Sequence, residues 1–376
     1  MVNESRLTKE FIALASLDSP SFHERKVADA IIATVHAMGF EVYEDQGGLI
    51  YGGDTGNLYF TLQGDPAIPS LLLMAHMDTV VPCIGKHIIV EGDIIRSDGS
   101  TILGGDDVAG IVEILETLRV VQENNIPHGP VEVVLTFGEE QSLCGAKVLE
   151  FDRIKSKLAL VLDNHGVGKA AISGPSQYQL FATFHGKSAH AGVEPEKGLS
   201  AIVVAAKAIS QMKLGRLDFE TTANAGVIKG GEATNIVCDC CSVHFEARSR
   251  NMEKLEAQVA HMKAVMEAAA AQAGATVTIK QEFLYPAFKI PEDDSFIKLF
   301  QTCCKKVGLE PVLEATGGGS DTNIISGKGI KAIDLSCGMT DVHTLNESIR
   351  ISDMVQGTAL LVAMIQEMKE TGGRNL

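Results

Sequence analysis

Two pairs of adjacent acidic residues mark one stretch of the sequence as a place where chemistry could occur. Asp106-Asp107 follow two glycines and precede apolar residues at helical spacing, so they are expected to cap the start of a helix. Glu139-Glu140 follow an apolar run that predicts a buried strand. Four carboxylates at the ends of two buried elements repel one another unless a cation lies between them. The pattern therefore indicates a divalent metal site.

Three further side chains of the metal-binding type come after apolar runs that predict buried strands. His76 follows the run 71–75, Asp163 follows the run 158–162, and His343 comes after the run 330–335. The C-terminal ends of parallel strands line one crevice of an open α/β sheet, where ligands bind. Each residue alone is common, so the prediction depends on their joint occurrence. Their number and type suit two metal ions about 3.5–4 Å apart that share one carboxylate.

The order of the predicted elements divides the chain into two domains. Strands and helices alternate in residues 1–175 and again in residues 289–376, which predicts a mixed, mainly parallel sheet flanked by helices. Residues 176–288 carry the order strand-helix-strand-strand-helix-strand, which is typical of a ferredoxin-like fold. We therefore expect an α/β di-metal domain with an inserted ferredoxin-like (βαββαβ) lid or dimerisation domain. A long final helix is expected to begin near Glu347.

Composition excludes several classes of function. The chain has 376 residues, of which 45% are hydrophobic, and a net charge of −16 without a basic cluster. This charge argues against binding to nucleic acid or to an anionic membrane surface. No apolar run approaches the roughly 20 residues of a membrane span, and the N-terminus has an amphipathic helical pattern rather than that of a signal peptide.

The cysteines favour a reducing compartment. Eight are scattered along the chain, and no C-x-x-C pair completes a thiolate metal site. Cys238, Cys240 and Cys241 are therefore expected to be buried structural thiols. Reduced thiols and the lack of a leader predict a cytoplasmic protein.

Eight motifs together resemble those of a known family, the co-catalytic zinc exopeptidases. This family includes peptidase T, the glutamate carboxypeptidases, succinyl-diaminopimelate desuccinylase and the aminoacylases. The resemblance covers nearly the whole chain, and the G-x-D-D helix start is most similar to the peptidase T-like branch. The motifs are MAHMDTV at 74–80, LGGDDVAG at 103–110, FGEEQSLCGAK at 137–147, LVLDNHG at 160–166, GKSAHAG at 186–192, ATNIV at 233–237, GGGSDTN at 317–323 and DVHTLNES at 341–348.

The resemblance implies a ligand set for two zinc ions per subunit, with cobalt or manganese as alternatives. Asp106 would bridge both ions. His76 and Asp163 would complete the ligands of one ion, and Glu140 and His343 those of the other.

The resemblance also implies catalytic roles. Glu139 would be the general base that takes a proton from a metal-activated water and passes it to the leaving amine. Asp78 would orient the ring of His76. His190 would stabilise the tetrahedral oxyanion, reaching the site from the partner subunit in dimeric members.

Several residues keep two interpretations. Asn235 and Arg248 resemble residues that hold the substrate, with Arg248 clamping a carboxylate; the alternative for Arg248 is a salt bridge at a strand end. Gly318 and Ser320 belong to a glycine-rich segment that either lines the crevice or forms a plain turn. His165 is either an additional metal ligand or, as we favour, a residue that supports the ligands.

By this resemblance the expected activity is that of a tripeptide aminopeptidase acting on small peptides, as a homodimer formed through the inserted domain. A carboxypeptidase or an N-acyl amino acid hydrolase of the same family remains an alternative, as does a peptide-binding protein without activity. Two departures from the family pattern, Val108 where many members have Lys and Ala191 where peptidase T has Pro, leave the metal site intact. They flank the pocket and leave the substrate preference open.

Overall fold

The computed structural model describes residues 1–370, and the helices and strands of this part are as follows. The helices are α1 (Glu4–Ala15), α2 (Arg25–Ala37), α3 (Gly47–Ile50), α4 (Gly105–Glu123), α5 (Cys144–Lys147), α6 (Ala201–Gln211), α7 (Met252–Ala273), α8 (Ser295–Lys306), α9 (Asp321–Gly327) and α10 (Ile351–Glu370). The strands are β1 (Tyr43–Glu44), β2 (Leu58–Leu62), β3 (Leu71–His76), β4 (Ile88–Glu91), β5 (Ile94–Ser97), β6 (Val131–Thr136), β7 (Leu158–His165), β8 (Lys169–Gly174), β9 (Ser176–His185), β10 (Gly215–Arg216), β11 (Thr221–Gly230), β12 (Cys240–Ser249), β13 (Thr276–Tyr285), β14 (Phe288–Lys289), β15 (Val312–Ala315), β16 (Lys331–Thr340) and β17 (Ser348–Arg350).

The chain folds into two compact units. Unit 1 contains Met1–Ile172, Lys289–Ala315 and the described residues from Ser320 onward, and unit 2 contains Ser173–Phe288 and Thr316–Gly319. The predicted domain division, 1–175 with 289–376 and 176–288, stays a proposal, and its residues 371–376 lie outside the described part.

A mixed sheet with parallel strands at its centre forms the body of unit 1, as the fold class predicted. The strand order is β1-β2-β6-β3-β7-β16-β17-β5-β4. The pairs β6–β3, β3–β7 and β7–β16 are parallel, and the pairs on either side of them are antiparallel. The residues of β3 are buried throughout, because a central parallel strand is covered on both faces. The C-terminal ends of four neighbouring strands therefore lie along one edge of this sheet.

Helix α4 is the most deeply buried helix element near that edge. It packs against β3, β7 and β16 and also contacts α1 and α10. Its charged residues Glu113 and Glu116 are buried together with its apolar ones. Asp106 and Asp107 have non-helical backbone angles and are joined by a cis peptide bond. The regular helix begins after Asp107, whose Oδ1 accepts a hydrogen bond from the N–H of Gly110 at 3.0 Å. Asp107 therefore caps the helix as expected, whereas Asp106 lies one residue ahead of the cap.

Unit 2 has the ferredoxin-like order predicted for it, with one short additional strand. Its antiparallel sheet has the order β10-β11-β12-β9-β13. Helices α6 and α7 pack together on one face of this sheet, over a separate core that includes Phe184, Val243 and Met262. Cys241 is buried in this core, whereas Cys240 is exposed. The prediction of a buried Cys240 is wrong because alternate residues of a strand point to opposite faces.

Two other predictions of local structure are wrong in their boundaries. The final helix begins at Ile351 rather than near Glu347, and Glu347 lies in a loop with its side chain buried. Strand β7 continues through Asp163 instead of ending before it. Among residues 1–370, we find no helix whose length and apolar character would suit a bilayer crossing.

Candidate metal centre

The last residue of β3 begins the site. The peptide N–H of His76 donates to Oδ2 of Asp107 at 3.1 Å, and its ring Nδ1 lies 2.9 Å from the carbonyl oxygen of Asp78. The Asp78 carboxylate is farther from that nitrogen, at 3.4 Å. A carbonyl oxygen accepts only from a protonated nitrogen, so this contact places the proton of the neutral ring on Nδ1. Nε2 of His76 is then the nitrogen that can bind a metal ion.

Asp106 lies between two histidines. Its Oδ1 is 3.0 Å from Nε2 of His76, and its Oδ2 is 3.1 Å from Nε2 of His343. One carboxylate thus presents a separate oxygen to each imidazole. His343 also lies 2.8 Å from Oε1 of Glu140, and Asp163 Oδ1 lies 3.6 Å from Nε2 of His76. All five residues predicted as ligands are therefore brought together.

A buried carboxylate holds the turn that carries Glu139 and Glu140. The N–H of Glu139 donates to Oδ1 of Asp78 at 2.9 Å, and the N–H of Glu140 donates to Oδ2 at 3.2 Å. The hydroxyl of Ser21 donates to the same Oδ2 at 2.7 Å. Asp78, fully buried, thus fixes the backbone of the two glutamates in addition to lying beside His76.

A second buried carboxylate holds the loop that carries Asp106. Oε2 of Glu347 accepts hydrogen bonds from the N–H groups of Leu103 and Gly104 at 2.8 and 2.9 Å. Its Oε1 accepts a third from the N–H of Asp106 at 2.9 Å. Glu347 is 1% exposed, so water does not compete for these hydrogen bonds.

Two sets of candidate donor atoms lie within 4.8 Å of one another. One set comes from His76, Asp106 and Glu140, and the other from His76, Glu139 and Asp163. With His343, which lies beside Asp106 and Glu140, these sets provide two imidazoles and four carboxylates. Such donors suit zinc, cobalt or manganese, because imidazole and carboxylate both bind such borderline cations. The residues present therefore fit a two-cation site.

The buried carboxylates of the candidate site favour a positive charge between them. Burial raises the pKa of Asp163 to about 7, and burial together with repulsion from Asp163 raises the pKa of Glu139 well above its usual range. Burial disfavours a charged His76, but hydrogen bonds to Asp106 and Asp163 outweigh it and raise the pKa of the ring. Carboxylates that bind protons this readily balance their charge equally well with metal cations.

The residues predicted to hold substrate lie in unit 2, apart from Ser320. His190 and Ile236 form an isolated antiparallel bridge, and the N–H of Ala191 donates to the carbonyl of Asn235 at 2.9 Å. His190 and Asn235 are therefore close in space, and both are exposed. Arg248 donates to Oε2 of Glu246 at 2.9 Å, while its Nε has no hydrogen-bond partner among the described residues.

In the glycine-rich segment, Ser320 and Gly318 make different contacts. The hydroxyl of Ser320 donates to Oδ2 of Asp334 at 3.0 Å and is buried. Ser320 also caps α9. Gly318 donates its N–H to Oγ1 of Thr316 at 3.0 Å.

The side chain of His165 is exposed and belongs to neither of the two donor sets.

Sequence reasoning missed Glu24, Ser21 and the role of Glu347. Glu347 stands in the quoted motif DVHTLNES, but periodicity assigned it to a helix start. Its place in the same motif as His343 was the one signal that the sequence offered.

The chain is similar to known proteins along nearly all of its length. The family model for the peptidase dimerisation domain of M20 proteins matches residues 176–274. An uncharacterised protein of Bacillus subtilis, YqjE, is 43% identical over 98% of this chain and 99% of its own length.

Two solved structures share both sequence and fold with the chain. The aminopeptidase PepT from Bacillus cereus is 42% identical, with a TM-score of 0.89, over 98% of this chain and 99% of that one. A tripeptidase from Staphylococcus aureus is 38% identical, with a TM-score of 0.94, over 98% of this chain and 100% of that one.

Proposed function

The chain belongs to the M20 family of peptidases, in its peptidase T-like branch, and from this premise we propose that it is a di-zinc aminopeptidase. It removes the N-terminal residue from short peptides, above all tripeptides. The names of the B. cereus aminopeptidase and the S. aureus tripeptidase support this substrate class. The observation that carries the proposal is the position of Asp106, whose two oxygens face His76 and His343 separately.

The proposed ligand assignment is the one that the family resemblance implies, and the contacts in the site support it. Asp106 would hold both cations, His76 and Asp163 would complete the ligands of one, and Glu140 and His343 would complete those of the other. The short distances from His343 to Asp106 and Glu140 support the second set. When bound, the two cations would polarise the scissile carbonyl group and lower the pKa of water towards about 7.

Glu139 serves as the general base. It accepts a proton from the attacking water and returns it to the amine nitrogen as the peptide C–N bond breaks. The residue is 7% exposed, and its backbone N–H is held by Asp78. A fixed and desolvated base supports proton transfer in both directions, because its reach to the reacting atoms does not change.

The inserted unit supplies the remaining groups of the proposal. His190 donates a hydrogen bond to the oxyanion, Asn235 holds the substrate beside it, and Arg248 binds the terminal carboxylate of the peptide. Gly318 offers backbone groups to the substrate, and Ser320 acts through Asp334. The match to a dimerisation domain supports a homodimer formed through this unit. Eight free thiols in the described residues support a cytoplasmic location.

A panel of tripeptides tests the reaction. We expect the zinc-loaded protein to cleave free and C-amidated tripeptides and to leave N-acetylated ones intact, since an aminopeptidase needs the free amine. Cleavage of N-acetylated peptides would instead indicate a carboxypeptidase or an N-acyl amino acid hydrolase. No cleavage of any peptide, with metal bound, would indicate a peptide-binding protein.

A further inference from the structure

The turn that carries the proposed general base has three consecutive backbone N–H groups. Each of them donates a hydrogen bond to a buried carboxylate. Asp78 accepts from Glu139 and Glu140, as described above. The N–H of Gly138, the first of the three, donates to Oε1 of Glu24 at 3.0 Å. Glu24 lies 114 residues earlier in the chain, immediately before α2.

The carboxyl group of Glu24 is enclosed by protein. Its side chain is 0% exposed, and Oε1 also accepts from the N–H of Phe22 at 2.8 Å. Oε2 has no hydrogen-bond partner within residues 1–370. Burial and repulsion from Asp78 raise the pKa of Glu24 to about 7. Because the carboxyl group is buried, water does not compete with the hydrogen bond that Oε1 accepts from Gly138.

Phe22 fixes the same turn from a second direction. A Cβ atom placed on Gly138 would lie 2.9 Å from Cε1 of the Phe22 ring, and Gly138 has a φ of +57°. The Phe22 ring also stacks on Tyr51, with centroids 5.9 Å apart. Residues 22–24 therefore hold Gly138 by one hydrogen bond and one close packing contact.

We propose that Glu24 is a positioning residue for the general base, which acts by fixing the peptide plane of Gly138 and thereby the place of Glu139. This inference rests on the proposed function, because it takes Glu139 as the base. Glu24 does not touch the reacting atoms. Its effect passes through the backbone of one turn, where a displacement of about 1 Å costs on the order of 100-fold in rate.

Two substitutions separate hydrogen bonding from bulk and charge. Glu24→Met keeps the length of the side chain but removes the acceptor, and we expect kcat to fall about 10- to 100-fold. KM should change less than threefold, and the metal content should equal that of the wild type. Glu24→Gln should retain at least half of wild-type kcat, because its amide oxygen still accepts from Phe22 and Gly138.

Glu113→Met is the matched control, since Glu113 is another buried glutamate with an unpartnered oxygen in the described part of the chain. We expect its kcat to stay within twofold of wild type. A kcat for Glu24→Met that also stays within twofold would overturn the proposal. Equal decreases of kcat in Glu24→Gln and Glu24→Met would also overturn it. The same holds if the decrease of kcat in Glu24→Met were accompanied by an equal loss of bound metal.

Folding and function failures can be told apart. Thermal melting shows whether Glu24→Met folds; if it does not, Glu24→Asp, whose shorter carboxylate cannot reach both amides, takes its place under the same kcat criterion. If the wild type cleaves no peptide, the proposed function itself fails. If wild type cleaves and Glu139→Gln does not, a fully active Glu24→Met refutes only the positioning role.

Discussion

The backbone N–H of Asp106 donates a hydrogen bond of 2.9 Å to Oε1 of Glu347, a residue 241 positions later in the chain. The same carboxylate accepts two more N–H groups from the preceding loop. The segment that supplies His343 therefore also holds the loop of the proposed bridging ligand. Both halves of unit 1, before and after the insertion, are needed to shape one metal site.

Replacing Glu347 with Gln should weaken metal binding by about 10- to 100-fold, the usual effect of losing a group that orients a ligand. The Gln amide would direct N–H groups towards backbone N–H groups, so at least one hydrogen bond is lost. Competition with a chromophoric chelator measures the two dissociation constants. Glu113→Gln is the control, and equal affinities in both variants would contradict the assigned role.

Replacing Glu139 with Gln should lower kcat by about 100- to 10,000-fold, the range attributed to general acid–base catalysis. Gln has nearly the same shape but cannot accept the proton. Two metal ions per chain should remain bound, as measured by elemental analysis. A variant that keeps its metals and turns over peptides at the wild-type rate would remove Glu139 from the mechanism.

Replacing His343 with Ala should release metal, whereas replacing His165 with Ala should not. Neither histidine belongs to the two donor sets, but Nε2 of His343 lies 3.1 Å from Asp106 and 2.8 Å from Glu140. His165 has no comparable contact with a proposed ligand among residues 1–370. Metal content after gel filtration and the rate of tripeptide cleavage give the two readouts. Metal loss in the His165 variant would restore the alternative in which His165 is a ligand.

Replacing Arg248 with Ala should raise KM for free tripeptides by about 10- to 100-fold, because a hydrogen bond to a charged group contributes about 1.5–3 kcal/mol. KM for C-amidated tripeptides should change little, since they lack the carboxylate that the guanidinium binds. Steady-state kinetics on the two series makes this comparison. Equal increases in both would favour the other interpretation, in which Arg248 serves its ion pair with Glu246.

Replacing Glu113 with Gln should stabilise the protein more at pH 8 than at pH 5. Burial and repulsion from Asp353 raise the pKa of Glu113 well above its usual range. The unfolded chain releases this proton near the usual value, while the folded chain retains it, so wild-type stability falls as pH rises through this interval. The advantage of Gln grows by about 1.4 kcal/mol for each pH unit crossed. Urea unfolding at saturating metal measures the free energies of unfolding of the variant and the wild type. If their difference were the same at pH 5 and pH 8, a raised pKa of Glu113 would be excluded.

The central strands could be predicted from the sequence because their signal is local and strong. Strands β3 and β6 are apolar runs buried along most of their length, which patterns identify directly. Short strands near the sheet edges, such as β4, alternate weakly and are partly exposed, so they left no comparable signal. The unit 2 order was visible because α6 and α7 separate its long strands.

The proposed ligands could be picked out from the sequence because most of them lie at or shortly after the ends of apolar runs. The side chains that hold their backbone could not be predicted in this way. Glu24 and Glu347 act on backbone groups 114 and 241–244 residues away, and no local pattern encodes such a contact. The start of α4 was predicted, but the non-helical geometry of its first residues was not, for a similar reason. Its first residues give up helical geometry where Glu347 and the two histidines engage Asp106.

The division of unit 1 around its insertion affects how the protein is made. His76, Asp106, Glu139, Glu140 and Asp163 leave the ribosome early, and His343 and Glu347 follow only after the whole of unit 2 has been synthesised. A nascent chain, which is extended at about 5–20 residues per second, therefore spends several seconds without a complete metal site. The candidate metal centre can therefore be completed only after unit 2 has been made.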